Sequence, residues 1–260
     1  MVQKFILAEK IYSYNPNFNF NPLFQKYLQM LSNEMGELDI NIEIEAFRKQ
    51  ENRLEIKIEG QDEEFFKNLL KHKIGSTIRF NQIHKGDVLK GYLIDVKKVG
   101  FGIFIDCSIR YPTTDVLINL HTLRNQLCRG KKIPLRKIID SFGFIENFPI
   151  HVKVEEISQS KKEIKGLIAK NTLEIINDCF LDKLERVFVS GSTRAQVKKA
   201  IAITGHSQDV ITIKKLGFLE NIIILKGDTN APGIIAHIGK KLKFSKLSAI
   251  RPLKLRKLLN

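Results

Sequence analysis

Lys85–Asp106, KGDVLKGYLIDVKKVGFGIFID, decides how this chain reads. Two apolar strands flank a glycine-bracketed aromatic turn, Gly100-Phe101-Gly102-Ile103-Phe104. Flat rings on a sheet stack bases, and the neighbouring glycines let a ligand come close. Strict alternation puts residues three apart on opposite faces of a strand, so Phe101 and Phe104 reach one face only if Gly102 permits a bulge or bend. Tyr92, on the adjoining strand, is a third candidate ring. The competing explanation for each ring is a place in the core.

Working outward, the 260 residues suffice for two or three domains, each able to bury its own core. The 43 Lys and Arg against 28 Asp and Glu give a net charge of +15. Residues 1–84 carry 11 basic and 12 acidic side chains, residues 85–170 carry 16 and 9, and residues 171–260 carry 16 and 7. The positive potential therefore belongs to the middle and the C-terminus, and a polyanion is expected to dock there. Lys97 and Lys98 sit in the turn before Gly100. Arg124, Arg129, Lys131, Lys132, Arg136 and Lys137 crowd a segment that lengthens the middle domain, which suits collective phosphate contact.

No apolar run reaches the roughly 18–20 residues of a membrane span, and no signal-peptide pattern precedes Phe5, so a cytoplasmic protein is expected. Cys107, Cys128 and Cys179 are scattered, without a Cys-x-x-Cys pair, and read as reduced, mostly buried thiols rather than metal ligands or a disulfide frame.

Period-2 and period-3.6 patterns divide the rest. Strands are expected at Val2–Ala8, Asp39–Phe47, Arg53–Glu59 and around Thr77–Phe80, with one helix through Leu23, Tyr27, Leu28 and Leu31 and another between Gln61 and Gly75. A second β-α-β-β-α-β series is expected from strands at 185–190, 209–214, 221–226 and 244–250 and helices at 192–203 and 231–242. The expected fold is α+β: ferredoxin-like domains at 1–84 and 171–260 flanking an all-β domain at 85–170.

Gly86, Val88 and Gly91 open the middle domain, Phe101, Gly102 and Phe104 make its turn, Asp115–Leu123 reads as a third strand and His151–Leu167 as the closing strands. On these residues it resembles the S1-type RNA-binding domain, a five-stranded oligonucleotide-binding barrel. Asn119 stands where that family usually has His, Ser158 where many members have Asp, and Lys162 where they have Arg or Lys. The resemblance implies RNA as partner, with Phe101, Phe104, Tyr92, Lys97, Lys98, Asn119, His121, Arg124 and Lys162 as candidate contacts.

Ser190-Gly191-Ser192-Thr193-Arg194 follows a strand and opens a helix, so Ser192, Thr193 and Arg194 are candidate phosphate contacts, against ordinary N-capping as the alternative. With Gly227–Gly233, Gly205-His206 and Leu216–Glu220, this region resembles the C-terminal part of an archaeal protein family known only as a domain of unknown function. A near-neutral domain ahead of such a barrel is also similar to the stalk subunit of archaeal RNA polymerase, which implies a protein partner for residues 1–84. No HExxH, GxSxG, Walker loop or dense carboxylate cluster is present, so neither a cofactor nor catalysis is expected. The expected function is binding of ribosomal RNA, transfer RNA or nascent transcript. The rivals are an RNA-processing enzyme using the two C-terminal loops, and an assembly module of the ribosome or RNA polymerase without free RNA affinity.

Overall fold

In the computed structural model, which describes residues 5–259, the backbone separates into two compact units, Met1–Ile78 and Arg79–Asn260. The first unit contains β1 (Phe5–Lys10), α1 (Asn21–Met35), β2 (Ile40–Arg48), β3 (Arg53–Gly60) and α2 (Glu63–Lys73). Its sheet runs β1-β3-β2, antiparallel. Leu23, Tyr27 and Leu31 recur on one face of α1 and are buried, as are Phe66 and Leu70 of α2. The Tyr27 hydroxyl donates to Glu9 Oε2 at 2.9 Å, so its buried polar tip is satisfied. Val2–Lys4 of the expected first strand lie outside the described residues.

The strand expected at Thr77–Phe80 is reduced. Beside β1 it leaves the Leu7–Ser76 bridge and the bonds Ala8 N to Gly75 O and Thr77 N to Ile6 O, and Ile78–Arg79 form a two-residue strand, β4, that is not part of this three-stranded sheet. Gly75, at φ +91°, turns the chain out of α2 directly into this short edge.

The second unit begins with five strands: β5 (Val88–Ile94), β6 (Gly102–Arg110), β7 (Thr114–Asn119), β8 (Pro149–Ser158) and β9 (Glu163–Ile168). β5 pairs with β6 and β8, β6 with β7, and β8 with β9, all antiparallel. A parallel β7–β9 pairing then closes the ring. The result is a closed five-stranded barrel with OB-like strand order. Closure depends on missing side chains. A Cβ on Gly102 would lie 2.5 Å from the Ile118 carbonyl oxygen, and one on Gly91 would strike Ile105 and Cys107. These glycines admit neighbouring strands of the barrel itself, and at Gly102 the sequence had suggested room for a ligand.

Two helices interrupt the barrel between β7 and β8: α3 (Leu120–Cys128) and α4 (Leu135–Ser141). The third strand expected at Asp115–Leu123 therefore stops at Asn119. Its side chain accepts from Thr122 N at 2.8 Å and starts a helix instead. Helix α5 (Lys170–Asp182) leads out of the barrel into β10 (Arg186–Ser190), α6 (Arg194–Ile203), β11 (Val210–Lys215), β12 (Glu220–Leu225), α7 (Ala231–Ile238), β13 (Lys246–Ile250) and α8 (Pro252–Leu259). The sheet order is β11-β12-β10-β13, antiparallel throughout. Val187 and Val189 of β10 pack with Val197 and Ile201 of α6 and Ile234 and Ile238 of α7.

The barrel is joined to this sheet by the segment after α4. Phe148 meets Phe188 edge to face at 4.6 Å, Ser190 Oγ donates to Glu146 O at 2.9 Å, and Ser248 Oγ donates to Gly143 O at 2.5 Å. Phe142, Phe144 and Phe148 are all buried. No helix among the described residues is long and apolar enough to cross a membrane.

Candidate nucleic-acid interface

The aromatic turn lies at one end of the barrel, built by local backbone geometry. Asp95 and Lys97 adopt positive φ, +53° and +71°, and Lys98 N donates to Asp95 O at 3.0 Å. The Glu146 carboxylate accepts from the N–H groups of Asp95 (3.2 Å) and Val96 (3.3 Å), pinning the turn from across the barrel mouth. Phe101, the last residue before β6, is 56% exposed. Phe104 is half-buried, and its ring meets that of Phe101 edge to face at 5.9 Å. The two rings thus touch despite their spacing, with the outer one free to present a face. Tyr92 is different: at 2% exposure it is a core residue and offers no stacking surface. It lies within β5 opposite Asp106 and Pro149, on the strand face away from Leu93 and Ile105, and packing over that face covers it.

The candidate cations divide between the two ends. Lys97 Nζ reaches Asp140 at 2.5 Å and Lys98 Nζ reaches Asp95 at 2.5 Å. The hydrogen bond that Lys98 donates to Asp95 raises the pKa of Lys98, keeping it protonated. Arg124 donates through Nε to Ile133 O at 2.9 Å, which holds its guanidinium at the same mouth. Asn119 is spent on capping α3, and exposed His121 bonds Asn125 through Nε2 at 3.0 Å. Lys162 belongs elsewhere. It sits in the β8–β9 hairpin, and β9 starts beside the start of β7 whereas Asn119 is at its end, so Lys162 occupies the opposite end of the barrel.

At that opposite end the sequence reading missed Tyr111, which is 71% exposed between β6 and β7. Arg79 and Arg110 approach its ring at 5.8 and 5.4 Å, and Lys162 lies 5.3 Å over Phe80. These are cation–π distances. The signal was present as Arg110-Tyr111-Pro112, an aromatic between a cation and a turn residue, but a loop aromatic carries no periodicity to mark it.

Between the aromatic turn and the inserted helices is a pocket of about 570 Å³. Lys97, Lys98, Arg124 and Arg136 line it together with apolar Leu120, Leu135 and Ile139. Leu120 N donates to Phe101 O at 2.8 Å, which ties the start of α3 to the turn.

The candidate phosphate loop is already committed. Gly191 N and Ser192 N both donate to Leu219 O at 3.1 Å, and Thr193 N donates to Gln196 Oε1 at 2.8 Å. Thr193 caps α6 in a capping box, Ser192 Oγ bonds Ser245 Oγ at 2.6 Å, and only Arg194 of the three candidates is exposed. The second loop is occupied in the same sense, because Glu185 Oε2 accepts from Ala231 N at 2.7 Å at the start of α7 and is held by Arg251 at 2.8 Å. A carboxylate stands where an anion would bind. Nearby, His206 bridges Asp209 and His237 at 2.6 Å each.

The three cysteines are buried thiols. Burial pushes the Cys179 thiol up to about 12 and raises Cys128 as well, so both are poor nucleophiles. Among the described residues no group of His, Cys, Asp or Glu is placed to hold a metal ion.

Family models match two stretches: the DUF2110 central domain over residues 83–179 and the DUF2110 C-terminal domain over residues 184–250, together more than half of the chain. The chain belongs to the DUF2110 family. No curated protein matches. Among solved structures, an uncharacterized protein from Methanocaldococcus jannaschii is 16% identical over 34% of this chain and 95% of its own, with a TM-score of 0.23. The alpha subunit of aIF2 from Pyrococcus abyssi is 10% identical over 65% and 97%, with a TM-score of 0.24. A chain of the a/eIF2alpha–aDim2p–rRNA complex from Pyrococcus horikoshii is 12% identical over 47% and 60%, with a TM-score of 0.26. Scores this low carry no argument, and the barrel of this DUF2110 protein is assigned from its own strand pairing.

Proposed function

We propose that this DUF2110 protein is a cytoplasmic RNA-binding protein of translation, transcription or RNA processing, with an S1-type barrel flanked by ferredoxin-like domains. Its RNA is ribosomal, transfer or nascent. The reading is carried by one observation: Phe101 holds a largely exposed ring at the barrel mouth, beside Lys97, Lys98 and Arg124. A ring supplies sequence-tolerant stacking and the cations supply phosphate attraction, the two components of single-strand binding. Phe104 supports Phe101 edge-on, and Tyr111 with Arg79, Arg110 and Lys162 extends the track to the other end. The barrel binds and does not turn over substrate, and the near-neutral first unit serves a protein partner.

The test is the affinity of the full chain for a short single-stranded RNA as a function of salt. Each neutralised phosphate lowers the slope of log K against log salt by about 0.7, so three or more contacts give a slope near −2 or steeper. Absence of binding, or a flat salt dependence, overturns the reading.

A further inference from the structure

We infer that the pocket between the aromatic turn and the α3–α4 helices binds a nucleotide carrying a terminal phosphate monoester. The inference rests on the RNA-binding reading above and adds a site to it. Four cations line the pocket, and two of them are answered: Lys97 by Asp140 and Lys98 by Asp95. Among the described residues no carboxylate forms an ion pair with Arg124 or Arg136. Two unanswered guanidiniums match a phosphate monoester, which carries about −1.5 to −2 at neutral pH and three acceptor oxygens, better than the single charge of an internal phosphodiester.

The rest of the wall suits the remainder of a nucleotide. Half-buried Leu120 gives an apolar surface for a base or ribose face, with the buried Leu135 and Ile139 completing the wall. A volume of about 570 Å³ lies within the range of roughly 300–1,000 Å³ typical of small-ligand sites. The geometry also fits a strand end. Phe101 O accepts from Leu120 N, so a base stacked on Phe101 and a phosphate in the pocket are separated only by the α3 start, and one oligonucleotide can use both. Arg124 is preorganised by its bond to Ile133 O, whereas Arg136 projects from the exposed first turn of α4.

The terminal phosphate has two sources, an RNA 5′ end or a free nucleoside monophosphate, and calorimetry on the full chain separates them. The probes are one short single-stranded RNA with a 5′-phosphate, the same RNA with a 5′-hydroxyl, and adenosine 5′-monophosphate, each against wild type, Arg136→Ala and Phe101→Ala. Arg136 is exposed, so its truncation leaves the fold intact, as an unchanged melting temperature verifies. The expected result is roughly tenfold tighter binding of the 5′-phosphate RNA, a preference lost in Arg136→Ala and kept in Phe101→Ala. Equal affinity for the two RNAs, with no binding of the monophosphate, overturns the pocket assignment while leaving the RNA reading standing. Binding of the monophosphate that disappears in Arg136→Ala, without binding of either RNA, keeps the pocket as a free-nucleotide site and overturns the RNA reading. A 5′-phosphate preference that survives Arg136→Ala also refutes the assignment.

Discussion

Replacing Phe101 by Ala separates a stacking ring from a structural one, because stability and affinity should respond on different scales. A fully buried Phe→Ala change costs about 3–5 kcal/mol. Phe101 is 56% exposed, so less than half of its surface is covered, much of that by the Phe104 edge. The folding cost scales down to about 1–2 kcal/mol, a fall in melting temperature of roughly 2–8 °C for a unit of this size. If the ring stacks on a base, the lost affinity is about 1–3 kcal/mol, or roughly 5- to 150-fold in Kd. The salt slope should stay as in wild type, since no phosphate contact is removed. Tyr92→Ala is the opposite case: at 2% exposure it should lower the melting temperature by roughly 6–20 °C. Fluorescence anisotropy with a labelled single-stranded RNA, run well below every melting temperature, and differential scanning fluorimetry on the same samples give both axes. Wild-type affinity in a stably folded Phe101→Ala protein would refute the stacking argument outright.

Three further outcomes follow from the packing and the titratable groups. Gly102→Ala should destabilise the second unit by about 1–3 kcal/mol or more, read as a lowered denaturant midpoint, because the new Cβ meets the Ile118 carbonyl at 2.5 Å; an unchanged midpoint would show that β7 can step aside. Phe188→Ala removes the ring that meets Phe148 at 4.6 Å, and calorimetry should show the single transition of the second unit split into two as barrel and C-terminal sheet uncouple. His151 has its pKa lowered by burial and by the neighbouring Lys90 charge. The unfolded chain therefore binds the more protons below about pH 6.5, so stability is full above that value and falls as pH drops toward the folded-state pKa. His151→Gln should flatten the fall in melting temperature between pH 7 and 5, and an identical pH profile in the two proteins would exclude His151 as its cause.

Local pattern carried a large part of this protein. Alternation in residues 53–59 and the apolar run in residues 221–226 located β3 and β12 to within a residue or two, and Leu23, Tyr27 and Leu31 marked the buried face of α1, because these patterns are properties of a single segment. The pairing of aromatic turn and cations was readable for the same reason, Lys97, Lys98 and Phe101 being neighbours along the chain.

What the sequence could not decide was anything set by distant partners. Tyr92 and Phe101 are both aromatics in one glycine-rich stretch, yet tertiary packing around β5 buries the first and leaves the second exposed. Gly102 looks like room for a ligand until β7 is seen to fill that room. The amides of the Gly191–Thr193 loop and the start of α7 look vacant until Leu219, Gln196 and Glu185 are brought to them from up to 46 residues away. Arg124 and Arg136 stand twelve positions apart and meet only because α3 and α4 fold back beside the turn. Secondary structure answers to the spacing of side chains along one segment, whereas exposure, hydrogen-bond satisfaction and a pocket's charge depend on which segments meet, and tertiary packing alone decides that.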